Sequence, residues 1–305
     1  MRIGIAGLGK MGAAVAARLN EAGEEVVVWN RSPAKAEATG LPVAATPREL
    51  AEQTDTVISM LFDGPALQAV YHGESGLLAA ARGKLFIEMS TVRPETQQAL
   101  AGDVRQAGGA FLECPVGGTT GPARSGQLLG LAGGEAADLD RARPVLAHLC
   151  SRIEHMGQVG AGASAKLAIN LPLLVFWQSF GEALALVRHL GKDPAWLVQL
   201  FAGTAGGPNV LKVKAAAVAA ALSGDQGVAA TFDIDAMRKD LRTMLEEGSL
   251  HGIALPVAAQ TLAAFDEASV AGLGGGLCLH ACLLGGEAGR RRPCTGQRRK
   301  LMRCR

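Results

Sequence analysis

Along the first 155 or so residues, short apolar runs alternate with segments of helical period. Arg2-Ile3-Gly4-Ile5-Ala6 reads as a strand, Gly12 to Glu21 as a helix and Glu25 to Trp29 as a second strand. The later runs Thr56 to Leu61 and Lys84 to Glu88 are almost continuously apolar, the pattern of strands covered on both faces. Pro94 to Gln106 is helical, and Ala110 to Leu112 is a further strand. Strands alternating with helices predict a doubly wound parallel sheet of βαβ units, an α/β class.

After Gly157-Gln158-Val159-Gly160-Ala161-Gly162 the pattern changes. Ala163 to Leu190 has the length and period of one long helix, with Pro172 inside it as an expected kink. From there to Ala268 the chain reads as helices separated by loops such as Gly203 to Pro208. The expected organisation is a dinucleotide-binding domain over 1–160, an all-helical substrate and dimerisation domain over 161–276, and a Cys/Arg-rich tail over 277–305.

Charge changes the picture only at the carboxyl end. Eight of the 30 basic residues lie between 290 and 305, leaving 22 basic and 27 acidic groups before residue 285, a net of −5. An acidic body is a poor match for nucleic acid. Four of the six cysteines, Cys278, Cys282, Cys294 and Cys304, also fall in the tail, so Cys114 and Cys150 form no disulfide framework in the body. The amino terminus is apolar only as far as Lys10, and the long apolar stretch from Leu167 to Val187 contains Asn170, Gln178 and Glu182. The expectation is a cytoplasmic protein with neither signal peptide nor membrane span.

Candidate chemistry begins at Gly7-Leu8-Gly9-Lys10-Met11-Gly12, a GxGxxG between a strand and a helix. Gly7 permits the tight turn, Gly9 lets backbone approach a pyrophosphate, and Gly12 allows close helix packing. Phosphates would meet the N–H groups of the helix start. The second strand ends on Asn30-Arg31-Ser32, where a carboxylate would select NAD by contacting the ribose hydroxyls. A guanidinium flanked by an amide and a hydroxyl suits a phosphate monoester, which favours NADP with NAD possible. Arg31 is also compatible with a solvated loop residue before Ser32-Pro33. After the strand at 110–112, Gly117-Gly118-Thr119 can turn consecutive N–H groups toward a carboxylate or stand as a plain loop. On the long helix, Lys166 and Asn170 are four apart and share a stripe with Leu173 and Trp177. A lysine on an apolar stripe is a candidate proton donor, since burial favours the neutral amine.

These segments together resemble the β-hydroxyacid dehydrogenase family, typified by 3-hydroxyisobutyrate dehydrogenase and tartronate semialdehyde reductase. The resemblance covers about residues 1 to 276 and rests on GLGKMG at 7–12, MLFDG at 60–64, MSTVRP at 89–94, CPVGGTTGPARSGQL at 114–128, GAGASAKLAIN at 160–170 and RKDL at 238–241. It implies an NADP-dependent oxidoreductase for a small 3-hydroxy acid and its semialdehyde, assembled as a homodimer or homotetramer. It places the catalytic lysine on Lys166, the substrate asparagine on Asn170, and the lysine near nicotinamide and substrate on Lys239, beside Asp240. Cofactor contacts are implied at Met60, Leu61 and Thr91, and the Asn30-Arg31 pair matches NADP-preferring members. Where many members carry Pro-Val-Ser-Gly-Gly, this chain has Gly117 in place of the serine, and the family's acidic residue in the preceding strand is Glu113. An imine reductase of the same superfamily is the nearest alternative, disfavoured by Lys166; a non-catalytic dinucleotide-dependent binding protein is another.

The tail departs from the family. Cys278, His280 and Cys282 are too weakly spaced to predict a metal site, and the Arg-rich run could serve as a basic arm. The lack of a packing period favours a disordered tail, translated from a shifted frame.

Overall fold

The computed structural model describes residues 1–225, 228 and 230–276; the tail with Cys278, His280 and Cys282 lies outside the described residues. The order along the chain is β1 (Arg2–Ala6), α1 (Lys10–Glu21), β2 (Glu25–Trp29), α2 (Pro33–Glu37), α3 (Pro47–Gln53), β3 (Thr56–Ser59), α4 (Gly64–Tyr71), β4 (Leu85–Glu88), α5 (Pro94–Gln106) and β5 (Ala110–Glu113). Then follow β6 (Val116–Gly117), α6 (Thr120–Arg124), β7 (Leu128–Gly133), α7 (Ala136–Leu149) and β8 (Cys150–Gly157). The remaining described elements are α8 (Ala161–Val187), α9 (Pro194–Ala202), α10 (Asn209–Leu222), α11 (Ile234–Leu250) and α12 (Pro256–Ala268).

The sheet runs in the order β2-β1-β3-β4-β5-β7-β6, with β8 on β7. Strands β2, β1, β3, β4 and β5 are parallel, as expected. Beyond this parallel core the sheet is mixed: β7 runs antiparallel to both β5 and β6, while β8 is parallel to β7. Between β5 and β7 the chain forms β6 and the short α6 (Thr120–Arg124) in place of a crossover helix, and β7 returns antiparallel.

Period-two alternation sends neighbouring side chains to opposite faces, and both faces are covered. Val26, Val28, Ile58, Leu85, Ile87 and Leu112 join a core with Val15 and Leu19 of α1 and Val145 and Leu149 of α7. Val27, Val57, Phe86 and Phe111 join the opposite core with Leu50 of α3, Tyr71 of α4 and Leu100 and Val104 of α5. This two-sided burial explains the near-continuous apolar runs in the sequence.

Two compact units are distinguished, Met1–Leu174 with Ala236–Ala259, and Val175–Asp235 with the chain from Gln260. The first holds the sheet and the opening turns of α8. In the second, Phe180 stacks with Phe176 and meets Phe201 edge-on, both at 5.5 Å between ring centroids. Val198, Leu211 and Phe265 are fully buried there, while Leu186, Trp196 and Val213 remain exposed. The long helix is α8; it continues through Pro172 and ends in a 3-10 turn at Arg188–Leu190. By length and composition alone Ala161–Leu190 could cross a membrane. Its Lys166 and Asn170, however, are built into a protein-lined site (below).

Phe111 is fully buried within one core face. Phe111→Ala is expected to lower unfolding stability by about 3–5 kcal/mol, read as a lower urea midpoint with unchanged slope.

Candidate active site

The parallel strands end at a crevice between β1 and β3, where the chain's winding changes direction, the usual ligand position in such sheets. Gly7 follows β1 with φ of 100°, and a side chain there would press on the Met60 carbonyl at 2.5 Å. A Cβ on Gly12 would overlap the Gly7 carbonyl, so α1 can start this close to the strand only with glycine. Above Gly9 the space is open. Helix α1 has no side-chain cap and no acidic residue in its first turn, which leaves its start suited to a phosphate. Lys10 and Met11 belong to that turn. These residues fit a dinucleotide pyrophosphate.

At the end of β2, Asn30 has a structural engagement that its sequence position did not reveal. Its Oδ1 accepts from the Leu8 N–H at 2.9 Å and its Nδ2 donates to the Ser32 carbonyl at 3.1 Å, which locks the glycine turn to the 30–32 loop. Arg31 and Ser32 are exposed beside it. Across the crevice, Met60 N–H donates to the Ala6 carbonyl at 2.9 Å, and Leu61 N–H to Ser90 Oγ at 2.8 Å. Ser90 is held in turn by Glu88, a fully buried carboxylate that also contacts Gln97 and Ser59. Burial pushes the Glu88 pKa up, against the lowering effect of those hydrogen bonds.

The first turns of α8 carry Lys166 and Asn170, whose exposures are 8% and 4%. Lys166 Nζ donates to Asn170 Oδ1 at 2.9 Å, and Asn170 Nδ2 donates to Asp240 Oδ2 at 2.9 Å. The other Asp240 oxygen pairs with Lys239 Nζ at 2.5 Å. Lys239 Nζ also donates to the Thr91 carbonyl at 2.6 Å and lies 5.8 Å from the centre of the Phe62 ring. Burial lowers the Lys166 pKa from 10.5 to about 8; Asp240 opposes the shift and Lys239 adds to it. The arrangement offers an amine able to give or take a proton near neutrality, with its partner's amide orientation fixed by a carboxylate.

Lys166, Asn170, Lys239 and Thr91 therefore gather in one unit. Gly117 lies in β6, paired with Leu129 of β7, Gly118 has φ of 125°, and Thr119 precedes α6. Asp240 is the residue that sequence reasoning undervalued: it was visible in RKDL only as the neighbour of Lys239, and 70 residues separate it from Asn170. Among the described residues no cluster of His, Cys, Asp and Glu could hold a metal.

The glycine turn at a sheet's switch point defines a dinucleotide-binding fold, and the buried amine of lowered pKa lies in the same unit. The family model for the NAD binding domain of 6-phosphogluconate dehydrogenase matches residues 2–157, and that for the NAD-binding domain of NADP-dependent 3-hydroxyisobutyrate dehydrogenase matches 160–279. The chain is 32% identical over 278 residues to glyoxylate/succinic semialdehyde reductase 1 of Arabidopsis thaliana, covering 90% of this chain and 94% of that protein. It is 35% identical over 263 residues to 3-hydroxyisobutyrate dehydrogenase of Pseudomonas aeruginosa, covering 84% and 88%. The solved structure of Mycobacterium tuberculosis 3-hydroxyisobutyrate dehydrogenase with L-serine superposes with a TM-score of 0.79 at 26% identity, covering 93% and 98%. The chain belongs to the β-hydroxyacid dehydrogenase family, and it is an NAD(P)-dependent hydroxyacid dehydrogenase.

Asp240 holds the Lys166 pKa up against burial. Asp240→Asn is therefore expected to move the Lys166 titration below about 8, read from an NMR titration of the Lys166 ε-carbon.

Proposed function

We propose that the protein is an NADP-preferring reductase/dehydrogenase for a small 3-hydroxy acid and its semialdehyde, with Lys166 as the general acid/base. The single observation that carries this reading is the buried chain Lys166–Asn170–Asp240, which leaves one amine of lowered pKa beside a donor and acceptor of fixed direction. When bound, NADP supplies or accepts the hydride. Lys166 gives a proton to the forming alkoxide in reduction and takes it back in oxidation. Asn170 orients the reacting oxygen, and Lys239, tethered to Thr91, borders the substrate. The Gly117-Gly118-Thr119 segment receives the substrate carboxylate through backbone N–H groups. The names of the relatives support glyoxylate, succinic semialdehyde and 3-hydroxyisobutyrate as the first compounds to test. The same reading includes a homodimer or homotetramer, tested by light scattering.

Arg31 stands where a 2′-phosphate would meet the second strand. The unmutated protein is expected to use NADPH with higher kcat/KM than NADH, and Arg31→Ala to remove about 1.5–3 kcal/mol of that preference. Equal use of both cofactors by the unmutated protein would refute the assignment.

Lys166→Ala is expected to lower kcat by roughly 10²–10⁴-fold while NADPH binding, followed by fluorescence, persists. Lys166→Arg does not restore turnover, because a guanidinium with pKa above about 12 does not release its proton at neutral pH. The pH dependence has a definite sign. Reduction needs the protonated amine, so its rate is level below about 8 and falls above it; oxidation needs the neutral amine and rises through the same pH. Opposite limbs, measured in steady-state assays of both directions, would overturn the lysine's role.

A further inference from the structure

Helix α8 is pinned at its start by a side chain from the middle of the sheet. Glu113, the last residue of β5, is fully buried. Its Oε1 accepts from the N–H of Gly160 at 2.7 Å and of Gly162 at 2.8 Å. The Ala163 N–H also faces the carboxylate. The other oxygen, Oε2, is buried with no partner among the described residues. Two glycines make room for this arrangement. A Cβ on Gly133 of β7 would overlap Oε1, and one on Gly162 would overlap the Leu131 carbonyl. The start of α8 is thereby seated on β7 and tied to β5 at once.

Such a seat fixes both the height and the rotation of the helix. Lys166 lies one turn beyond Gly162, and its 2.9 Å bond to Asn170, with the next to Asp240, leaves little tolerance for a shift. Helix starts are commonly capped by a neighbouring Ser, Thr or Asp. Here the local sequence, Gly160-Ala161-Gly162-Ala163, has no such group, and the acceptor comes from a residue 47 positions earlier. We propose that Glu113 is a positioning residue for Lys166: by accepting the first N–H groups of α8 it sets the helix phase on which the Lys166–Asn170–Asp240 chain is built.

The mechanism described above assigns Glu113 no task, and this inference rests on the reading of Lys166 as acid/base. Burial pushes the Glu113 pKa up to about 7, with the nearby Glu88 charge adding to the rise and the backbone N–H groups opposing it. A carboxyl oxygen of Glu113 can accept from these N–H groups in either protonation state.

The test uses the full chain with NADPH and succinic semialdehyde, together with an NMR titration of the Lys166 ε-carbon, assigned by its absence in Lys166→Ala. Glu113→Leu keeps comparable bulk and leaves the two N–H groups without an acceptor. It is expected to lower kcat on the order of ten-fold or more and to move the Lys166 midpoint up from about 8 toward the ordinary lysine value, while NADPH affinity changes little. Glu113→Gln retains an oxygen and is expected to recover most of that loss. If Glu113→Leu does not fold, Gly133→Ala displaces the same carboxylate without deleting it and should give the same pair of changes. An unaltered Lys166 midpoint in folded Glu113→Leu or Gly133→Ala overturns the proposal, as does a Gln variant as impaired as the Leu one. The titration needs no turnover, so the two readings separate. If Lys166→Ala remains active, the acid/base assignment fails. If Lys166→Ala is inactive but Glu113→Leu keeps its midpoint, only the positioning role fails.

Discussion

The burial of one amine organises the site. Moving the Lys166 pKa from 10.5 to about 8 corresponds to about 3 kcal/mol of disfavour for the charged form. An isolated ammonium would lose more than that on burial, and the difference is made up by directed partners. Asn170 supplies an oxygen to Nζ because its own Nδ2 is committed to Asp240. Asp240 holds that amide with one oxygen, and its second oxygen is taken by Lys239. Each group in the chain restricts the next, so the proton-carrying atom is tuned and aimed by the same contacts.

The sheet provides the second half of the machinery by a different device. Its parallel strands bring the ends of β1, β3 and β4 to one edge, and each end contributes backbone rather than reactive side chains: the Gly7 turn, the Met60–Leu61 segment, and the Ser90–Thr91 segment. These are cross-linked. Asn30 ties Leu8 to Ser32, and Ser90 ties Leu61 to the buried Glu88. A rigid crevice of this kind suits a cofactor whose own atoms carry the redox chemistry, since the protein then has to supply placement and field. Lys239 joins this edge to the amine chain through its bonds to the Thr91 carbonyl and Asp240.

The departure of this chain from its family's motif in the Gly117-Gly118-Thr119 segment falls on Gly117. Gly117 lacks the hydroxyl of the usual serine, and its backbone is paired with Leu129 in the short β6 ladder, ahead of the turn at Gly118. The acidic residue before the same segment persists as Glu113, and its side chain accepts the N–H groups of Gly160 and Gly162 at the start of α8, where the adjacent sequence offers no Ser, Thr or Asp.

Much of this was legible in the linear order of residues. Strands β1 and β2 and helix α5 have the bounds that periodicity gives them, because two-sided burial writes continuous apolar runs and amphipathic helices write a 3.6-residue stripe. The glycine turn, Lys166 and Asn170 were readable because their spacing is local. The two-residue β6 and the polar, largely exposed β8 were not, since such strands leave little apolar signature, and neither was β7, whose glycines interrupt its apolar run. Nor does the sequence reveal that Asn30 spends its amide on the backbone. The sequence by itself determined which residues could turn, bury or carry a proton, for those properties belong to each residue and its near neighbours. Only the tertiary structure decided that Asp240 would orient Asn170 across 70 residues and that Glu113 would seat α8 across 47, because hydrogen bonds of 2.7–2.9 Å between remote segments exist only once the whole chain has packed.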